Sequence, residues 1–136
     1  MMKHGTQIIG HVGSEPTMRY TPSGQAVTNF TVAANEQYTN SAGERVKKTI
    51  WFRVQTWGKK AETMKQYVKK GMLVYVEGKL VADDSGNPRV WTGSDGTAHA
   101  NFEINAFHVQ FLSRVDDDAE QEHDRREVPP EDDMPF

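Results

Sequence analysis

The chain has 136 residues, no cysteine, 26% charged residues and a formal net charge of -3. That length supports one modest core, and the missing cysteines exclude a disulfide framework and cysteine–zinc chemistry. No apolar run approaches membrane-spanning length, and the opening MMKHGTQIIG lacks a signal-peptide hydrophobic region, so the expected compartment is the cytoplasm. The charge is segregated. Residues 1–114 carry fourteen Lys and Arg against nine Asp and Glu, and residues 115–136 carry two against ten. A basic body suits a polyanion partner, and the overall charge conceals it.

In chain order, the body reads mainly as β. Residues 7–13 form a short apolar run with Ile8, Ile9 and Val12. Pro16 and then Pro22-Ser23-Gly24 punctuate a tight hairpin around Met18-Arg19-Tyr20. Residues 26–34 alternate, with Phe30, Val32 and Ala34 on one face and Val27, Asn29 and Thr31 on the other. A turn-rich stretch, residues 39–43, precedes a long strand over residues 46–57. Its faces separate as Ile50, Phe52 and Val54 against Trp51, Arg53, Gln55 and Trp57.

The spacing of Ala61, Met64, Tyr67 and Val68 predicts one helix over residues 59–70, stopped by Gly71. Residues 72–80 return to strand, with Val74 and Val76 inward. Two turns, residues 83–88 and 93–96, flank Arg89-Val90-Trp91. The last strand spans residues 99–112, with Phe102, Ile104, Ala106 and His108 alternating. Three strands, one helix and two more strands is the order of an all-β, five-stranded OB-fold barrel with the helix between strands 3 and 4. The pattern alone also admits other small β-barrels.

The chemistry concentrates on one strand face. Trp51, Arg53, Gln55 and Trp57 line up together, while the opposite face already supplies apolar residues. Two tryptophans beside an arginine suit an exposed surface better than a dry core; the alternative is that one indole packs beneath a loop. Exposed indoles stack on unstacked bases, and arginine pairs with phosphate. Further basic residues neighbour aromatics. Arg19 adjoins Tyr20, Tyr38 precedes Lys47 and Lys48, Lys59 and Lys60 follow Trp57, and Arg89 precedes Trp91. Charge interleaved with π-faces is the pattern for a single strand. A duplex reader needs a recognition helix or ribbon, and the Lys65, Lys69, Lys70 edge of the one helix reads as a solvated face. No phosphate loop, nucleophile elbow or metal-ligand spacing occurs, so no enzyme, cofactor or metal is expected.

Residues 115–136 are too acidic and too poor in apolar groups to form a core, and read as a disordered tail. The tail closes on Asp132, Asp133, Met134, Pro135 and Phe136, a short hydrophobic tip on an acidic leash. The bland alternative is a solubilising tail.

These residues resemble the bacterial single-stranded DNA-binding protein family. The motifs are Gly10-His11-Val12-Gly13, Arg19-Tyr20, Pro22-Ser23-Gly24, Asn29-Phe30, Trp51-Phe52-Arg53-Val54, Trp57-Gly58-Lys59-Lys60-Ala61-Glu62, Val74-Tyr75-Val76-Glu77-Gly78 and the terminal Asp132-Asp133-Met134-Pro135-Phe136. The resemblance implies an OB fold, commonly four per assembly, sequence-tolerant binding of single-stranded DNA and no catalysis. It implies stacking at Trp51, at Trp57 where phenylalanine is usual, at Tyr38 where tryptophan is frequent, and at Trp91. It implies a tip that docks replication, recombination and repair proteins, in a cytoplasmic, nucleoid-associated homotetramer. The expected division is a DNA-binding domain over residues 1–114 and a partner-docking tail over residues 115–136. The rival readings are an OB-type protein adaptor and a small OB-fold nuclease; the second requires a fixed carboxylate cluster.

Overall fold

The computed structural model describes residues 2–112. The acidic tail and its tip lie outside the described residues. The elements are β1 (Thr6–Val12), β2 (Thr17–Tyr20), β3 (Ala26–Thr39), β4 (Arg45–Trp57), α1 (Lys59–Tyr67), β5 (Leu73–Leu80), β6 (Val90–Thr92), β7 (Ala98–Ala100) and β8 (Phe102–Phe111).

The main sheet runs β1-β5-β8-β4-β3-β2 and closes through a further pairing of β1 with β3. β1 and β2 act as two halves of one first strand. Both pair with β3, at Val12↔Val32 and Thr17↔Asn29, with the chain bending past buried Pro16 between them. Every barrel pairing is antiparallel except β4 with β8. That pair is parallel because α1 and β5 carry the chain back across the barrel before β8 begins. The result is a five-stranded OB-fold barrel with its helix between the third and fourth barrel strands, as the sequence pattern implies.

The core follows the period-two alternation of the strands. Val12, Phe30, Val32, Val54, Val74, Val76 and Ile104 are all at most 2% exposed. Helix α1 covers one end of the barrel with Ala61 and Met64, and Val68 beyond its last turn completes the cover. Thr28 Oγ1 donates to the Ala61 carbonyl at 2.6 Å, which ties the helix to β3.

Four features differ from the sequence expectation, each for a tertiary reason. The helix ends at Tyr67 instead of Lys70, since Val68 is extended and Gly71 N–H is taken by the Val12 carbonyl at 2.7 Å. That bond pulls the chain into register for β5. Tyr67 therefore remains exposed, off the buried stripe. β3 runs on to Thr39, because Asn35↔Thr49 through Thr39↔Arg45 continue its ladder with β4. Those residues are mostly exposed on both faces, so no alternation marks them. The expected last strand is two strands, broken at Asn101: β7 pairs only with β6, and β8 joins the barrel.

The fourth difference is one of phase. Gly78 pairs with Ala106 but Glu77 pairs with His108, so Phe107 is an extra residue in β8. A bulge of this kind reverses the alternation. Val109 turns toward the core in place of His108, which is exposed, and Phe102 at the start of the strand is 61% exposed. No helix among the described residues is long and apolar enough to cross a membrane.

Candidate nucleic-acid interface

Strand β4 builds the site. Its even residues Phe52, Val54 and Thr56 turn inward, with Phe52 packed on the core and against Phe102 at 5.7 Å between ring centroids. Its odd residues face out, and Trp51 and Trp57 are 55% and 38% exposed. Register carries this outer face onto the neighbours. Ala33, Thr31, Asn29 and Val27 lie opposite Trp51, Arg53, Gln55 and Trp57 in turn. On the far side Glu103 and Asn105 lie beside Arg53 and Gln55. Arg19, exposed on β2, extends the row through Val27 to Trp57.

Both indoles are held while remaining accessible. A Cβ at Gly13 would sit 2.4 Å from Cζ3 of Trp51, so the benzo ring rests on the bare backbone there. Only glycine allows that approach. Trp57 Nε1–H donates to Asn105 Oδ1 at 3.2 Å. A cleft of about 260 Å³ opens beside Trp51, lined by Ser14, Thr17, Asn29, Thr31, Arg53 and Asn101 among others.

The remaining basic and aromatic candidates divide among three places. Lys59 and Lys60 begin α1, exposed and two and three residues past Trp57. Tyr38, Lys47 and Lys48 lie on the outer part of the β3–β4 hairpin, whose strands pair only with each other. There they split by face: Lys47 continues the Trp51 side, whereas Tyr38 and Lys48 share the other with Ile50. Trp91, 44% exposed, sits on the β6–β7 hairpin and stacks on His99 with centroids 5.7 Å apart and planes 27° off parallel. Thr97 Oγ1 lies 3.0 Å from His99 Nε2. The Thr97 backbone N–H and hydroxyl hold the Asp95 carboxyl below its ordinary range.

Arg89 has a partner that the sequence did not signal. Its Nε donates to Glu103 Oε2 at 3.0 Å, and its Nη2 meets Glu103 Oε1. Glu103 is 4% exposed. Gln55 Nε2 reaches the same carboxylate at 3.5 Å. The hydrogen bond to Glu103, and then its charge, raise the Arg89 pKa. This bridge ties the base of the hairpin carrying Trp91 to β8, beside the strand that carries Trp51 and Trp57. Alternation places Glu103 on the tryptophan side of β8, but an acidic residue there reads as solvated until the chain from residue 81 returns over it. Asn29, Thr31 and Asn101 also carried no such signal; polar residues of these types are usual on exposed strand faces.

Removing the Glu103 charge tests the bridge. Arg89 is half exposed, so solvent screening holds its pairing energy to about 1 kcal/mol. Glu103→Gln should speed amide exchange across residues 90–100 about fivefold at that energy, with protection of Val54 and Val74 unchanged. Unaltered exchange in the hairpin would show that the bridge does not fix it.

Comparison with known proteins agrees with this geometry. The single-strand binding protein family matches residues 4–112. The single-stranded DNA-binding protein of Neisseria meningitidis is 38% identical over 105 residues, 77% of this chain and 57% of that protein. Single-stranded DNA-binding protein 1 of Chlorobaculum tepidum is 48% identical over 73 residues, 54% of this chain and 45% of that protein. The chain thus spans about half the length of these relatives. Among solved structures, a Plasmodium falciparum SSB complex with ssDNA superposes with a TM-score of 0.67 at 26% identity, covering 83% of this chain and 97% of that one. With four-fifths of its length matched, the chain belongs to the single-strand binding protein family.

Proposed function

We propose that this protein binds single-stranded DNA without a sequence requirement and without catalysis, coating and protecting it in replication, recombination and repair. The observation that carries the reading is the outer face of β4, where Trp51 and Trp57 flank Arg53, exposed yet braced by Gly13 and Asn105. Every base has a π-face, so braced indoles give affinity without choosing a sequence. Arg19, Arg53, Lys47, Lys48, Lys59 and Lys60 supply backbone neutralisation, with Tyr38 and Trp91 as outlying stacking positions. Helix α1 is a poor duplex reader, because its apolar stripe is committed to closing the barrel.

Tryptophan quenching on titration with oligo(dT) tests the reading against a protein-adaptor role for the same face. Trp51→Ala and Trp57→Ala should each weaken binding by about 1–3 kcal/mol while the domain stays folded. The log–log salt slope should steepen by about 0.7 for each phosphate neutralised. Unchanged affinity in both folded variants would refute stacking at this face.

We further propose a homotetramer. Ile9 and Tyr75 pair on the outside of the barrel, away from β4, with Ile9 44% exposed. Tyr75 also meets His108 edge-on at 6.0 Å. Phe107, at the bulge, is 50% exposed. These apolar groups suit a contact between copies. Light scattering at micromolar concentration should return four times the chain mass, and a monomer mass would remove the claim.

The tail reading rests on composition. Asp132, Asp133, Met134, Pro135 and Phe136 suit a partner pocket rimmed by Lys or Arg, with the acidic pair at the rim and Phe136 inside. Deleting residues 131–136 should abolish capture of replication and repair partners and leave oligo(dT) affinity equal or slightly higher. Survival of partner capture, or a severalfold loss of DNA affinity, would overturn this division of roles.

A further inference from the structure

The cleft beside Trp51 contains a polar group that the fold does not use. Asn29 is 8% exposed, and its Oδ1 is buried with no hydrogen-bond partner among the described residues. Two of its neighbours are already engaged. Thr31 Oγ1 donates to Ser14 Oγ at 3.0 Å, and Gln55, opposite Asn29 in register, reaches for Glu103. Native proteins keep few such groups, and each calls for a cause. Asn29 lines the cleft together with Trp51 and Arg53.

We propose that Asn29 is the hydrogen-bonding residue of a nucleobase subsite in this cleft. The proposal rests on the single-strand reading and adds a specific contact to it. The chemistry of the strand selects the base. Phosphodiester and deoxyribose ether oxygens accept hydrogen bonds and donate none, so they cannot satisfy Oδ1. The N–H groups of an unstacked base can, and its Watson–Crick edge sets an acceptor beside the donor. An amide matches such an edge with both of its atoms. All four bases offer a donor beside an acceptor, so the contact adds affinity while keeping sequence tolerance. Trp51 provides the stacking face for that base, and Arg53 the cation for an adjoining phosphate.

The test compares two oligomers of equal length in the full chain. One is oligo(dT); the other carries difluorotoluene deoxynucleotides, which keep thymine's shape and stacking face but lack the N–H donor. The readout is the ratio of the two affinities, followed by tryptophan quenching. Wild type should favour oligo(dT) about two- to tenfold, the range of a net hydrogen bond. Asn29→Ala should reduce that ratio to near one while still binding the isostere. If Asn29→Ala does not fold, Asn29→Val removes the amide with a side chain suited to a strand. Binding of both oligomers with the same ratio in wild type and variant would overturn the subsite and leave the single-strand reading intact. Failure of wild type to bind either oligomer would overturn both.

Discussion

Closure of the barrel at β1 is the constraint on which the rest depends. This one strand pairs with β5 along its length and with β3 at its end, and such double pairing needs close backbone approach. A Cβ at Gly10 would fall 2.3 Å from the Ala33 carbonyl oxygen, and one at Gly78 would fall 2.1 Å from that of Asn105. With both glycines in place the sheet curls enough to enclose its own apolar face. Closure then assigns each strand one inside and one outside. On β4 the inside holds Val54 at 0% exposure and the outside holds Trp51 at 55%. The proposed binding face is the outer surface of the same strand that anchors the core.

That arrangement makes large exposed aromatics tolerable. An unsupported indole on a strand would fold back onto apolar surface and lose its open face. Here Trp51 rests on Gly13 and Trp57 is pinned through its N–H to Asn105. The contacts orient the rings before any ligand arrives, so less side-chain entropy is lost on stacking. Preorganisation extends to Trp91 by a different route. Its ring leans on His99, and its hairpin is tethered through Arg89 to a carboxylate buried against the tryptophan strand. Glu103 is 4% exposed and Arg89 is its ion-pair partner, so the tether and the burial of Glu103 stand or fall together.

Much of this was legible in the sequence wherever burial imposed a period. The alternation of residues 50–57 separated core from outer face correctly because one side of β4 is covered and the other is not. The helix with its buried Ala61 and Met64, and the burial of Val68 just beyond it, were legible for the same reason. Legibility failed where the period lost its cause. Beyond Ala34, β3 has no covered face and so no alternation, although its backbone ladder continues. At Phe107 one inserted residue reverses the phase, and nothing in the string Ala106-Phe107-His108 announces it. At the candidate site, the exposure of the paired tryptophans was legible because two indoles beside an arginine are unusual on a strand face. Asn29 and Glu103 read poorly, since their roles arise from what other segments place over or beside them. The pairing of Arg89 with Glu103 joins residues fourteen positions apart, across a hairpin whose docking no local pattern specifies.

The two hairpins also differ in a way that bears on a flexible polymer ligand. The outer β3–β4 hairpin is held by its own ladder alone and divides its candidates between faces, Lys47 on one and Tyr38 with Lys48 on the other. The β6–β7 hairpin is short, three residues to a strand, but tethered at its base. A strand lying along the braced centre, from Trp57 past Arg53 to Trp51, would meet fixed geometry there. Following the outer β3–β4 hairpin, it would meet cations on both faces of a two-stranded ribbon and an aromatic ring, Tyr38, on one of them. A duplex is too stiff to exploit both surfaces. An unpaired strand bends freely enough to pass from the fixed centre to either face of the ribbon, so the placement of these side chains itself favours a single strand over a double one.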